Sequence, residues 1–166
     1  VPTAVVSHRG YDGREPFERA LLEVLDEHGV EWVALAGFMR LLTARFLSAY
    51  PGRVVNIHPA LLPAFPGTHA QRQAVEYGVR FSGCTVHFVD EGTDTGPIIA
   101  QAVVPVLPDD DEHSLGRRIL AQEHRLYPWV LQLLALGRVQ RDGRRVRISG
   151  PPPDGGLAWL DPAPDA

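Results

Sequence analysis

Asn56 and His58 are the residues in this chain best placed by type and spacing to do chemistry. They stand two apart in the stretch Asn56-Ile57-His58-Pro59-Ala60-Leu61-Leu62-Pro63. Arg53-Val54-Val55 just upstream reads as the apolar start of a strand. Successive strand side chains point to opposite faces, so Asn56 and His58 project together while Ile57 packs the other way. An amide beside an imidazole suits a carbonyl group held between a hydrogen-bond donor and a proton-transfer group. The same spacing also fits a satisfied histidine at a strand end.

Two other segments bear on that choice. The stretch Asp90-Glu91-Gly92-Thr93-Asp94-Thr95-Gly96 carries three carboxylates between two apolar runs. Read as turn chemistry it is a solvated loop. Read as function it supplies a carboxylate that reaches His58, orients it and raises its pKa, and Asp94 is the candidate because Gly96-Pro97 fixes the chain just after it. Glu123 falls inside the stripe formed by Leu115, Ile119, Leu126, Val130 and Leu133 at helical spacing. An inward carboxylate is costly without a partner, so Glu123 is a structural ion pair, a residue at the edge of the stripe, or an acceptor for substrate hydroxyls. Cys84 shares a strand face with Val86 and Phe88 and reads as buried and inert, and His87 on the opposite face reads as packing.

The elements that must position these residues follow from periodicity. Strands are expected at Thr3–Val6, Glu31–Ala36, Arg53–Ile57, Gly83–Val89 and Pro97–Val106. Helices are expected at Pro16–His28, Thr43–Tyr50, His69–Tyr77 and Ser114–Leu136, the last kinked or broken near Pro128. Val139–Ile148 reads as a hairpin around Asp142-Gly143. The early β-α-β-α-β alternation predicts an α/β fold with a parallel sheet and right-handed crossovers. Ligands in such sheets bind beyond the carboxyl ends of the strands. Asn56 and His58 sit at one such end, and Ala36-Gly37-Phe38-Met39-Arg40-Leu41-Leu42 follows its neighbour, so the two segments meet at one crevice.

Composition narrows the classes. A chain of 166 residues predicts one domain, here 1–149, followed by a Pro- and Gly-rich tail over 150–166. A net charge of -4 gives no nucleic-acid footprint. No apolar run approaches a membrane span and no signal peptide opens the sequence, so a soluble cytoplasmic protein is expected. All 16 basic residues are arginine, which removes Schiff-base, phosphate-loop and serine–lysine chemistry. A single cysteine and unsuitable histidine spacing give no expectation of a metal site. Neither a serine-hydrolase elbow nor a dinucleotide fingerprint is present.

The stretches LAGFMRLL (35–42), NIHPALLPAFPGTHAQRQA (56–74), TVHFVDEGTDTGPIIAQ (85–101) and AQEHRLYP (121–128) together resemble the glycinamide ribonucleotide transformylases, folate-dependent formyltransferases of purine synthesis. The similarity runs from about residue 1 to 139. Pro66-Gly67-Thr68-His69 separates this pattern from other formyltransferases that share an Asn-x-His pair and a distant Asp. The resemblance implies a Rossmann-like formyltransferase fold, with a mostly parallel twisted sheet, helices on both faces and the family's amino-terminal strands missing. It implies transfer of a formyl group from 10-formyltetrahydrofolate to glycinamide ribonucleotide, with no metal and a monomeric or homodimeric state. Asn56, His58 and Asp94 are then catalytic, with His58 as proton donor. Arg14, Met39, Arg40, Leu41, Leu42, Leu47, Asn56, Asp90, Glu91, Gly92, Thr93 and Asp94 line the folate site, Arg14 meeting its acidic tail. Leu120, Ala121, Gln122 and Glu123 contact the ribonucleotide. The family's Gly-Ser-rich phosphate loop has no counterpart in the sequence, so a fragment or a shortened homologue is expected. A formyltetrahydrofolate hydrolase and a non-catalytic folate-binding homologue are the alternatives.

Overall fold

Residues 1–149 are described in the computed structural model. Helix α1, Arg14–Glu27, opens with Glu15 and Pro16 in its first turn, where an acid complements the helix dipole and a proline forfeits no hydrogen bond. Strand β1 spans Val33–Leu35, helix α2 Ala44–Ala49 and strand β2 Val54–His58. Thr43 caps α2 by accepting from Phe46 N. Its own N–H and hydroxyl both donate to Glu18, a buried carboxylate of α1. Glu18 therefore ties α1 to the start of α2 and closes off the segment 36–42 between β1 and α2.

Helix α3, Ala70–Tyr77, leads to strands β3, Phe81–Phe88, and β4, Ile98–Pro105. Helix α4, Glu112–Ala135, starts at a capping box formed by Asp111 and Ser114. A hairpin of β5, Val139–Asp142, and β6, Arg145–Ile148, follows as its Asp-Gly turn predicts. The main sheet runs β1-β2-β3-β4. Its two faces are covered separately. Val54 joins Val33, Leu42 and Phe46 beneath α1 and α2. Val55 joins Cys84, Val86, Leu115, Ile119, Leu126 and Val130 beneath α4. Neighbours on one strand thus feed opposite cores, as the alternation of strand side chains requires.

The α/β layering is as expected, and the sheet is mixed rather than mostly parallel. Only β1 and β2 are parallel, through Val33↔Val54 to Leu35↔Asn56, while β2–β3 and β3–β4 are antiparallel. An apolar run reports that a strand is covered on both faces and is silent on its direction. Thr3–Val6 forms no strand: the segment is irregular and Val5 is 95% exposed. Among the described residues no strand lies beside it to complete its hydrogen bonds. Helix α4 runs unbroken through Pro128, packing Leu126 and Val130 on either side of it into the core. The expected tail over 150–166 lies outside the described residues.

Candidate active site

A cavity of about 350 Å³ opens where the carboxyl ends of β1 and β2 meet the loop after β3, and Asn56, His58, His87 and Asp94 all line it. The segment after β1 supplies Gly37, Phe38, Met39, Arg40, Leu41 and Leu42. Arg40 is held over the Phe17 ring of α1, 5.4 Å from its centroid. The apolar wall is left open to solvent: Met39 is 78% exposed and Leu41 46%. Large apolar side chains held out of the core around a cavity mark a binding surface.

His58 is buried and both its ring nitrogens face partners. Nε2 lies 2.8 Å from Phe65 O and Nδ1 lies 3.4 Å from Asp94 Oδ2. A carbonyl only accepts, so Nε2 carries a proton and Nδ1 is the atom left for proton transfer. Asp94 is placed by its own loop. Asp90 Oδ1 accepts from Gly92 N and Thr95 Oγ1, which folds the loop back on itself. Asp94 Oδ2 also accepts from Gly67 N at 2.7 Å, so the Pro66-Gly67 turn and the 90–96 loop are joined at the carboxylate.

His87 completes the cluster. It is the direct cross-strand partner of Asn56. Asn56 Nδ2 stands 3.2 Å from His87 Nε2, and His87 Nδ1 stands 2.9 Å from Phe88 O. Burial pushes its pKa down, against the Phe88 carbonyl and Asp94, which raise it. The β3–β4 register slips between Val86↔Ala100 and His87↔Ile98, a bulge that bends the sheet at this residue. The non-glycine residues with positive φ among those described are Phe65, His69 and Asp94. All three contribute to this region, and backbone strain of this kind gathers at working sites.

A second cavity, of about 450 Å³, adjoins the first: His69 and Gln71 line both. Its wall on α4 carries Glu112, His113, Gly116, Arg117, Leu120 and Glu123. Burial raises the Glu123 pKa, with His124 lowering it in part.

Most of the residues expected at the site converge there. Asn56, His58, Asp90, Gly92, Thr93, Asp94 and Met39 to Leu42 share the first cavity, and Leu120 and Glu123 share the second. Arg14 is exposed at the first position of α1 and does not line the cavity; the turn beside it presents Phe17, on which Arg40 stacks. Leu47 packs into the core beneath α1 and α2 instead. Glu91 is an exposed residue at the loop tip, outside the lining. Ala121 and Gln122 stand off the second cavity, and Gln122 Oε1 is buried without a hydrogen-bond partner among the described residues. The sequence reading missed His87, whose place opposite Asn56 depends on strand register. It also missed Phe65 and Gly67, which act through backbone atoms that leave no trace in side-chain type. Among the described residues no three His, Cys, Asp or Glu side chains converge as metal ligands would.

With this geometry in place, comparison with known proteins defines the class. Residues 1–131 match the formyl transferase family, and the chain belongs to that family. Within it, the chain is 47% identical to phosphoribosylglycinamide formyltransferase of Bacillus subtilis over 137 residues, covering 82% of this chain and 70% of that protein. It is 53% identical over 137 residues to the trifunctional purine biosynthetic protein adenosine-3 of Drosophila melanogaster, of which it spans 10%. The crystal structure of glycinamide ribonucleotide transformylase 1 from Symbiobacterium toebii superposes with a TM-score of 0.83 at 57% identity, covering 85% of this chain and 66% of that one.

Proposed function

We propose that this chain transfers the formyl group of 10-formyltetrahydrofolate to the amine of glycinamide ribonucleotide. The observation that carries the reading is the pair of adjoining cavities. One holds Asn56, His58 and Asp94 beside an open apolar wall, and the other ends on Glu123. The first suits a reduced folate with its formyl group at the histidine, and Arg40 in its lining suits the acidic tail. The second suits an amine-bearing sugar phosphate whose hydroxyls reach Glu123. A hydrolase, whose nucleophile is water, does not require a second cavity to hold an amine.

In this reading the amine lone pair attacks the formyl carbon and the carbonyl π pair moves to oxygen. Asn56 and protonated His58 donate to that oxygen as charge develops. The C–N bond to the folate then breaks, its electron pair goes to the folate nitrogen, and the attacking amine loses a proton as that nitrogen gains one. Asp94 faces His58 Nδ1 and keeps the proton on the side where the reacting oxygen sits.

The test is turnover of 10-formyltetrahydrofolate with and without glycinamide ribonucleotide. The expected result is release of tetrahydrofolate only when the ribonucleotide is present, one formylated amine per folate. Equal turnover without the ribonucleotide, with free formate as product, would overturn the reading.

A further inference from the structure

Asn56 must present an N–H, not its carbonyl, to any oxygen it stabilises. An amide can rotate by half a turn at little cost, so something has to fix which end faces where. The fixing group is visible across the strand pair. His87 Nδ1 lies 2.9 Å from Phe88 O, which can only accept, so Nδ1 holds the ring's proton. In a neutral ring Nε2 is then a bare lone pair. Asn56 Nδ2 lies 3.2 Å from it and must be the donor. The flipped amide would set Oδ1 against that lone pair, acceptor facing acceptor. Asn56 has two N–H groups; one is held by His87, which leaves the other for a ligand oxygen.

We propose that His87 is a positioning residue, a neutral imidazole that locks the Asn56 amide in its donating orientation. The inference rests on the formyl-transfer reading above. It also sets a condition on charge. A proton on Nε2 would remove the acceptor that Asn56 uses and turn the ring toward Asp94 Oδ1, 3.6 Å away. Asp94 would then be divided between His87 and His58. The charged and titratable groups that face His87 are Asp94 and Asp90 from the loop after β3 and His58 from β2. The carboxylates favour the proton, and burial, which is the larger effect, together with His58 opposes it. The ring is 2% exposed, so water offers the proton little help.

Two substitutions separate this role from packing. His87→Gln keeps an acceptor within reach of Asn56, and His87→Phe keeps a ring without one. Removing an oxyanion donor outright typically costs about 10²–10³ in kcat, so loosening one should cost at least about tenfold. With 10-formyltetrahydrofolate and glycinamide ribonucleotide, H87F is expected to lose kcat by that factor while the donor KM stays within about threefold, and H87Q to recover most of the loss. Equal losses in both variants, or none in H87F, would overturn the proposal. A second measurement needs no variant. In ¹⁵N spectra of the wild-type chain at neutral pH, His87 should show a protonated Nδ1 and a bare Nε2, and a protonated Nε2 would overturn the assignment. If the wild-type chain transfers no formyl group, the functional reading fails while this tautomer measurement still stands.

Discussion

Two backbone carbonyls set the protons of this site. Phe65 O holds Nε2–H of His58 and Phe88 O holds Nδ1–H of His87. The two rings, 29 positions apart, are thereby given opposite tautomers, one with Nδ1 free to move a proton and one with Nε2 bare. Asp94 lies between them, 3.4 Å from one ring and 3.6 Å from the other. On the proposed mechanism, replacing Asn56 by alanine removes an oxyanion donor and is expected to lower kcat by about 10²–10³, roughly 3–4 kcal/mol, with little change in folate binding. Steady-state kinetics against a folate-binding titration would read that split; a loss confined to binding would place Asn56 outside the transition state. Asp94→Asn is expected to cost kcat by a comparable factor, since the neutral amide no longer complements a charged His58. Pre-steady-state rates at saturating substrates would show it, and a near-normal rate would deny Asp94 its role. That Asn56, His58 and Asp94 share one cavity was legible in the sequence because their side-chain types and spacing carry that signal. His87 was not, because a buried histidine in an apolar strand looks like packing until strand register puts it opposite Asn56.

The elements hold these groups by close backbone approach. A Cβ on Gly96 would stand 1.7 Å from Phe88 O, so only glycine lets the 90–96 loop turn back against β3. Gly96→Ala should push the loop outward, move Asp94 away from His58 and lower both stability, by about 1–3 kcal/mol, and kcat. Urea unfolding and kinetics on the same preparation would test this, and full activity with unchanged stability would contradict it. Tyr127 serves α4 in a similar way: its hydroxyl donates to Leu35 O at 2.8 Å and to Val55 O at 3.2 Å, which pins the helix to β1 and β2 just before the site. Strand and helix positions could be read to within a residue or two from periodicity. Strand direction could not, because β3 is buried along both faces and that burial is the same whichever way the strand runs. Thr3–Val6 has strand composition yet stays irregular, since β propensity needs a neighbouring strand to act on.

Across the whole molecule, the two-sided core makes stability depend on groups that the fold keeps neutral. Burial, with Glu123 adding to it, pushes the Cys84 thiol up to about 12. The native chain then keeps a proton that the unfolded chain sheds above about 9, so this term weakens folding as pH rises through that window. The same thiol should ignore disulfide reagents in the native state and react only as the molecule opens. His87 works on the acid side. Its folded pKa lies below 6.5, so the unfolded chain takes up a proton first and this contribution is lost as pH falls below 6.5. Denaturant midpoints on either side of that pH should show lower stability on the acid side, with a smaller difference in His87→Gln; an unchanged difference would contradict the burial of a neutral ring. On the proposed function, the cavity holding Asn56, His58 and Asp94 passes a formyl group to an amine in the cavity beside it. This transfer is tested most directly by supplying 10-formyltetrahydrofolate with a ¹³C-labelled formyl carbon and glycinamide ribonucleotide, quenching within one turnover, and following the label. Label is expected in the formylated ribonucleotide, with none as formate. Label appearing as formate, or remaining on the folate, would contradict it.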